Sequence, residues 1–477
     1  MYTPDQKLIQ QIDSWIQKEK TSFIKDLDRL VAIPSISEKG DEAYPFGKSC
    51  GDVLDEITRI SAGYGLTVEN HEYYCGSCLV KGTSDKARRI GLFAHLDVVP
   101  LGEGWENPPL SCTLKDGYLI GRGVGDNKGP GICALYAVRF LKEHGIRLKN
   151  DVLLYFGLAE ETGMEDIEYF CKTQRVPELS LVTDTNFPVC YGEKGLLRAE
   201  LSWKGGLDRD RDGLLSFEGG SVVNVIPAKA EAVLTGLPME KVQASLKGKP
   251  GLCAEMTPEG VKVTAEGISK HAAFPEGAVN AIHVLAAALT GCGLIRGESE
   301  KAVQAAAEIT ADFYGASAGI PFKDKESGPL TCVGSVAGMK DGRFTLAFDV
   351  RYPVTVKGED VIRAFKARAE GKGFTFLVKE CSAPAFMPLD QPYIPLLCGI
   401  CDYVQGKHYE PYTMGGGTYS RKLPAAVGFG PGVPDAENPF PAGHGQGHQP
   451  DECVPFEMLL KGLKTYIIAL IELDKIL

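Results

Sequence analysis

Histidine is scarce in this sequence, with eight among 477 residues, and several other features are missing outright. No apolar run reaches the roughly 18–20 residues that a membrane span needs. The closest approach, "YIIALIELDKIL" at the C-terminal end, is too short, and its period suits a helix docked on a core. The opening stretch "MYTPDQKLIQQIDSWIQKEK" mixes charges and has no continuous apolar segment, so it reads as an amphipathic helix and not as a secretion leader. The expected location is cytoplasmic. Clustered basic residues are also missing. The 51 Lys and Arg are spread along the chain against 62 Asp and Glu, for a net charge of −11. Nucleic-acid and anionic-membrane partners both need concentrated positive charge, so neither is expected.

Cysteine is plentiful at fourteen residues, but what would make it a metal or disulfide framework is lacking. The two Cys-x-x-Cys pairs, Cys75 with Cys78 and Cys398 with Cys401, lie far apart in the chain, whereas a zinc ribbon wants two pairs close together. Most other cysteines sit singly in apolar segments, as Cys133, Cys190 and Cys332 do, which fits buried, reduced thiols. A nucleotide loop is missing too. "LIGRGVGDNKGPG" is glycine-rich, but Lys128 is followed by Gly129 and Pro130 where a phosphate loop carries Ser or Thr. The residues before it, "LKDGYLIGRG", resemble an edge hairpin and not the strand of a dinucleotide fingerprint.

The length favours two domains, and a composition of 44% hydrophobic and 24% charged residues is that of ordinary globular protein. Three apolar runs of strand length stand out. "RIGLFAHLD" ends in His95 and Asp97, "DVLLYFGLAEE" in Glu160 and Glu161, and "LSLVTDT" in Asp184. Being apolar on both faces, they predict interior strands of a parallel sheet. A helical pattern between the first two, "GPGICALYAVRFLKEHG", closed by Gly145, completes a strand–helix–strand unit and an α/β fold. Ligands of such sheets collect at the carboxyl ends of the strands. Carboxylates converging there, with Asp126 from the glycine-rich segment, would repel one another unless a cation were present. Mixed imidazole and carboxylate donors suit zinc, with cobalt or manganese as substitutes, and their number fits two ions sharing one carboxylate. A second imidazole could come from "GHGQGHQPDE", residues 443–452, where glycines and a proline predict a loop holding His444 and His448. Spacing alone does not choose between them.

Taken in order, "HLDVVP", "GRGVGDNKG", "LAEETG", a strand ending in Asp, "SKHAAFPEGAVNA" and "HQPDE" resemble the co-catalytic zinc exopeptidases of clan MH, the family of carboxypeptidase G, aminoacylase and the succinyl-diaminopimelate desuccinylases. "TDTNFPVCYGEKG", "FDVRYP" and "GGGTYSR" look most like the bacterial dipeptidase V branch of that family. The resemblance spans nearly the whole chain. It implies that Asp126 bridges two zinc ions, that His95 and Asp184 complete one site, and that Glu161 and His448 complete the other. It implies that Asp97 orients His95, that Glu160 is the general base toward a metal-activated water, and that the peptide bond from Asp126 to Asn127 is cis. His448, followed closely by "PDE", matches the family's spacing, and His444 does not.

The pattern changes from about residue 190 to 384, which reads as an α+β lid domain at residues 190–384 inserted into a discontinuous catalytic domain, residues 1–189 and 385–477. Read from its residues, that insert alternates strands with two amphipathic helices and hairpin turns such as Asp341–Gly342. In "RFTLAFDVRYP", Phe344, Leu346, Phe348 and Val350 share an apolar face, and Arg343, Thr345, Asp349 and Arg351 share a polar one. By resemblance, His271 would stabilise the oxyanion, Arg351 would bind the substrate's carboxylate and Asn224 would hold its backbone. An insert of this size resembles the dipeptidase V arrangement, and that resemblance implies a monomer. The expected activity is hydrolysis of small, unblocked dipeptides. An N-acyl amino acid deacylase, a carnosine-type dipeptidase and a non-catalytic metal-binding protein of the same fold are the alternatives.

Overall fold

The computed structural model describes residues 2–340 and 342–477, and Asp341 of the expected hairpin turn lies outside the described residues. The chain divides into two compact units. The first comprises residues 1–192, 385–412 and 417–477, and the second residues 193–384 and 413–416.

In the first unit, the three apolar runs form strands Arg89–His95, Asp151–Gly157 and Leu179–Val182, every residue of them buried. Arg89–His95 lies in the middle, parallel to both of the others. Ala426–Gly428 extends the parallel set beyond Leu179–Val182, and Cys75–Val80 pairs antiparallel on the other side. The mainly parallel α/β architecture is as expected. All three apolar runs therefore end at the same edge of the sheet, where open α/β sheets hold their ligands. Helix Lys128–Glu143 packs on this sheet almost entirely buried, and Gly145 follows it at φ +64, the left-handed stop that glycine adopts without strain. Helix Gln6–Val31, capped by the Asp5 carboxylate on Lys7 and Leu8 N–H, buries an apolar stripe that includes Ile12, Phe23 and Leu27. The C-terminal helix Phe456–Ile476 joins the same core. The hairpin Thr113–Lys115 and Tyr118–Ile120 forms as expected, but it pairs with Cys453–Pro455 in a small separate sheet and not on an edge of the main one.

The second unit holds an eight-stranded sheet whose observed pairings are antiparallel, running from Leu252–Thr257 at one edge to Phe374–Ser382 at the other. Its helices outnumber the two expected. Met239–Leu246, Ala281–Leu289, Gly297–Ile309 and Gly358–Gly371 all form, with a single turn at Arg209–Asp212. Ala281–Leu289 is apolar nearly all round, so its sequence carries no helical period to read. The alternation over Arg343–Tyr352 is present, with Phe344, Leu346, Phe348 and Val350 in the core. Its polar face departs from expectation: Asp349 and Arg351 are buried as well, because they satisfy each other. No helix among the described residues is long and apolar enough to cross a membrane. All fourteen cysteines are free thiols.

Candidate metal centre

His95 ends its strand fully buried. Its Nδ1 lies 3.0 Å from the Asp97 carbonyl and 3.3 Å from the Asp97 carboxylate, and its Nε2 lies 3.0 Å from Asp126 Oδ1 and 3.8 Å from Asp184 Oδ2. One ring nitrogen is thus anchored while the other faces the carboxylates, the arrangement that fixes a ligating imidazole. Asp97 also accepts the backbone N–H groups of Glu160 and Glu161, at 3.2 and 3.1 Å, and so ties the end of the first strand to the end of the second.

Asp126 presents its two oxygens to two imidazoles. Oδ1 faces His95, and Oδ2 lies 3.2 Å from His448 Nε2. The same His448 nitrogen donates to Glu161 Oε1 at 2.9 Å. The peptide bond from Asp126 to Asn127 is cis. Asn127 then donates through Nδ2 to Asp184 Oδ1 at 3.2 Å and accepts from the Thr183 hydroxyl at 2.9 Å. Donor atoms of His95, Glu160 and Asp184 lie within 4.8 Å of one another, as do those of His95, Asp126 and Glu161. The first grouping includes Glu160, which the sequence reading kept apart from the ligands.

The electrostatics of the cluster call for positive charge. Burial would strip His95 of its proton, but hydrogen bonds to Asp126 and Asp97 outweigh it and hold the imidazole protonated well above its ordinary range. Asp126 and Glu161 raise half-exposed His448 to about 11. Asp126 runs the other way: burial opposes its charge, yet the two imidazoles keep it ionised far below the usual carboxylate range. Glu160 is pushed strongly upward by burial and then by the charge of Asp184. Its Oε1 is buried with no hydrogen-bond partner. Half-buried carboxylates beside imidazoles, with one buried oxygen left over, are the donor set that paired divalent cations satisfy.

Of the loop histidines, only His448 reaches this cluster. His444 Nδ1 donates to Asp451 at 2.9 Å instead. The remaining expected residues lie in the second unit. Arg351 is buried and donates from Nε and Nη2 to Asp349, at 2.6 and 3.0 Å, and from Nη1 to the Gly415 carbonyl at 3.1 Å. Three of its five N–H groups are used and two are left. His271 is exposed, accepts from the Ala273 N–H at 3.1 Å, and pairs as an isolated bridge with Val225 beside Asn224.

Sequence reasoning missed the supports. Asp166 is fully buried and accepts from Leu158 N, Ala159 N and the Tyr419 hydroxyl, bracing the strand end that carries Glu160 and Glu161. Glu452 accepts from the backbone of the Asp126 loop. Lys128 is buried and donates to the Leu30 and Ile33 carbonyls at 2.9 and 2.8 Å. Only the "DE" following His448 was visible as a signal, and without a role attached.

Acidic strand ends and two imidazoles gathered at the carboxyl edge of a parallel sheet form the kind of pocket in which hydrolases hold paired cations. The chain belongs to peptidase family M20/M25/M40, whose model matches residues 91–472. It is therefore a peptidase-family hydrolase. It is 28% identical over 468 residues to the putative dipeptidase YtjP of Bacillus subtilis, covering 96% of this chain and 98% of that protein. It is also 28% identical over 475 residues to the Beta-Ala-Xaa dipeptidase of Lactobacillus delbrueckii subsp. lactis, covering 96% and 97%. The fold is similar to that of human carnosine dipeptidase 1, with a TM-score of 0.59 at 14% identity over 99% of this chain and all of that one. It is likewise similar to the Saccharomyces cerevisiae dipeptidase Dug1p, with a TM-score of 0.57 at 14% identity over 98% of each.

Proposed function

We propose that the protein is a dinuclear zinc dipeptidase that cleaves unblocked dipeptides. The observation that carries this reading is Asp126 set between His95 and His448, with Glu161 and Asp184 flanking and Glu160 beside them with one oxygen buried. Asp126 would bridge, His95 and Asp184 would hold one ion, and Glu161 and His448 the other, with cobalt or manganese as workable substitutes. Bound ions would supply acidity to a water molecule and polarisation to the scissile carbonyl. The chain supplies the proton path. Glu160, whose affinity for a proton is raised by burial and by Asp184, takes the proton of the attacking water and returns it to the leaving amine. Asp97 holds both His95 and the Glu160–Glu161 backbone in register for that transfer.

We assign substrate contacts to the second unit, as a lid over residues 190–384. The two N–H groups that Arg351 has left suit a terminal carboxylate, a planar acceptor for a planar donor. His271 would face the oxyanion and Asn224 the peptide backbone. The relatives named as dipeptidases support this substrate class. The one named for β-alanyl substrates makes carnosine-type dipeptides the second candidate.

The test is a side-by-side assay of Ala-Ala, β-Ala-His and N-acetyl-Met with zinc-loaded enzyme. Turnover of the free dipeptides is expected, and turnover of N-acetyl-Met alone would make the protein a deacylase. In the same assay Glu160→Ala should lose roughly 100- to 10,000-fold in kcat, the value of a positioned general base, while still binding two ions. A metal-replete Glu160→Ala protein with full activity would remove Glu160 from the mechanism.

A further inference from the structure

We propose that the adjacent carboxylates Asp451 and Glu452 are a paired backbone clamp that sets the position of Asp126 relative to His448, making Glu452, with Arg122, a positioning residue for one of the two ions. This rests on the dinuclear reading above.

Glu452 is 1% exposed and Asp451 is fully buried. Glu452 Oε1 accepts from three backbone N–H groups in one turn, Gly123 at 3.1 Å, Gly125 at 3.0 Å and Asp126 itself at 3.1 Å. Convergent N–H groups of this kind form a nest for negative charge, and a charged acceptor there holds the loop more firmly than neutral bonds would. The other oxygen, Oε2, receives Arg122 Nη1 at 2.8 Å, and Arg122 is itself 1% exposed. That pairing is what lets a carboxylate remain in the interior. Asp451 turns to a different segment. Its Oδ1 accepts from Asn107 N at 2.8 Å and Asn107 Nδ2 at 2.9 Å, and both oxygens face Glu106 N. Three residues before this pair the chain places His448 at φ +68, and Asp451 itself sits at φ +54, conformations that non-glycine residues hold only where their surroundings fix them.

The two carboxylates thus anchor the His448 loop to two segments, one of which carries Asp126. The product of that anchoring is the 3.2 Å approach of His448 Nε2 to Asp126 Oδ2. Generic core stabilisation would not require three bonds to converge on a single turn that ends in a ligand-type residue. The oxygens of Glu452 are taken by those three N–H groups and Arg122, and those of Asp451 by Glu106, Asn107 and His444, so Glu452 acts on Asp126 through the backbone.

The test uses full-length apoprotein made by chelation, titrated with zinc against a chromogenic chelator, with the urea midpoint of each apoprotein measured in parallel. Wild type should bind two ions. Glu452→Gln removes the charge from the nest. Glu452→Asp keeps a charge for Arg122 but draws it back from the three N–H groups by one methylene. Both variants should fold and weaken one of the two ions by roughly 10- to 100-fold, the usual cost of losing an outer-shell support, and so change the ratio of the two dissociation constants. A merely structural role would lower the urea midpoint and leave that ratio alone. An unchanged ratio in both variants, or failure of both to fold, overturns the clamp. Wild-type protein that binds fewer than two ions overturns the dinuclear reading itself, and this is seen before any substitution is made.

Discussion

Among single residues, His448 and His444 show how position in a loop separates two otherwise equal side chains. His448 spans Glu161 and Asp126, whereas His444 is committed to Asp451. His448→Ala should therefore lose one of two bound ions by elemental analysis, and His444→Ala should keep both. The reverse pattern would exchange their roles. The distinction was not legible in the glycine-rich loop itself. It came from the spacing to "DE" in the family pattern, and physically it is made by carboxylates far away in the sequence. The strand-end residues were easier to read. Buried parallel strands must be apolar on both faces, so His95, Glu160, Glu161 and Asp184 stand out as the ionisable residues at the ends of such runs. Arg122, Asp166 and Glu452 carry no comparable mark. An isolated charged residue looks the same in sequence whether it is solvated or buried, and only the fold supplies the partner.

For individual elements, the Arg343–Tyr352 strand carries its own buried ion pair. Asp349 is fully buried, and Arg351 binds both of its oxygens. Arg351→Ala should destabilise the protein by about 3 kcal/mol or less, because it leaves the buried carboxylate with only the longer, 3.8 Å contact to Arg198. Urea unfolding measures this separately from any loss of substrate affinity. The alternation of this strand was legible and the burial of its polar face was not, because alternation says which residues share a face and not what covers that face. The strand Asp151–Gly157 depends on Asp166 beyond its end. Burial raises Asp166 to about 6, and three hydrogen bonds from its neighbours only partly offset that. The native state therefore holds a proton that the unfolded chain has already released between an ordinary carboxyl value near 4 and pH 6. The contribution of Asp166 to stability should fall by about 3 kcal/mol as pH rises through that window and stay level above it. The difference in unfolding free energy between wild type and Asp166→Asn, followed from pH 4 to pH 7, should show this slope, and a flat difference would refute it.

On the scale of the whole molecule, the carboxylates of the candidate centre make cation binding a term in folding. Chelation should lower the melting temperature, and excess zinc should restore it in proportion to the logarithm of its concentration. A melting temperature indifferent to chelator would separate the centre from stability. Light scattering should give a monomer, the state inferred from the length of the insert, and a stable dimer would correct it. The α/β class was readable because periodicity and the order of motifs are properties of long stretches. The additional helices of the second unit were not, because Ala281–Leu289 is uniformly apolar and Met239–Leu246 is short.

The bond between Arg122 and Glu452 joins residues 330 positions apart in the chain. During synthesis the sheet, its three polar strand ends and the Asp126 turn all emerge long before their last partners do. A nascent chain that has reached residue 440 would hold most of the acidic residues and neither the second imidazole nor the clamp. Domains fold as they emerge, and contacts this distant close last. The candidate centre should therefore be completed only after residues 448–452 have emerged, when His448 and the clamp reach strand ends laid down in the first half of the chain.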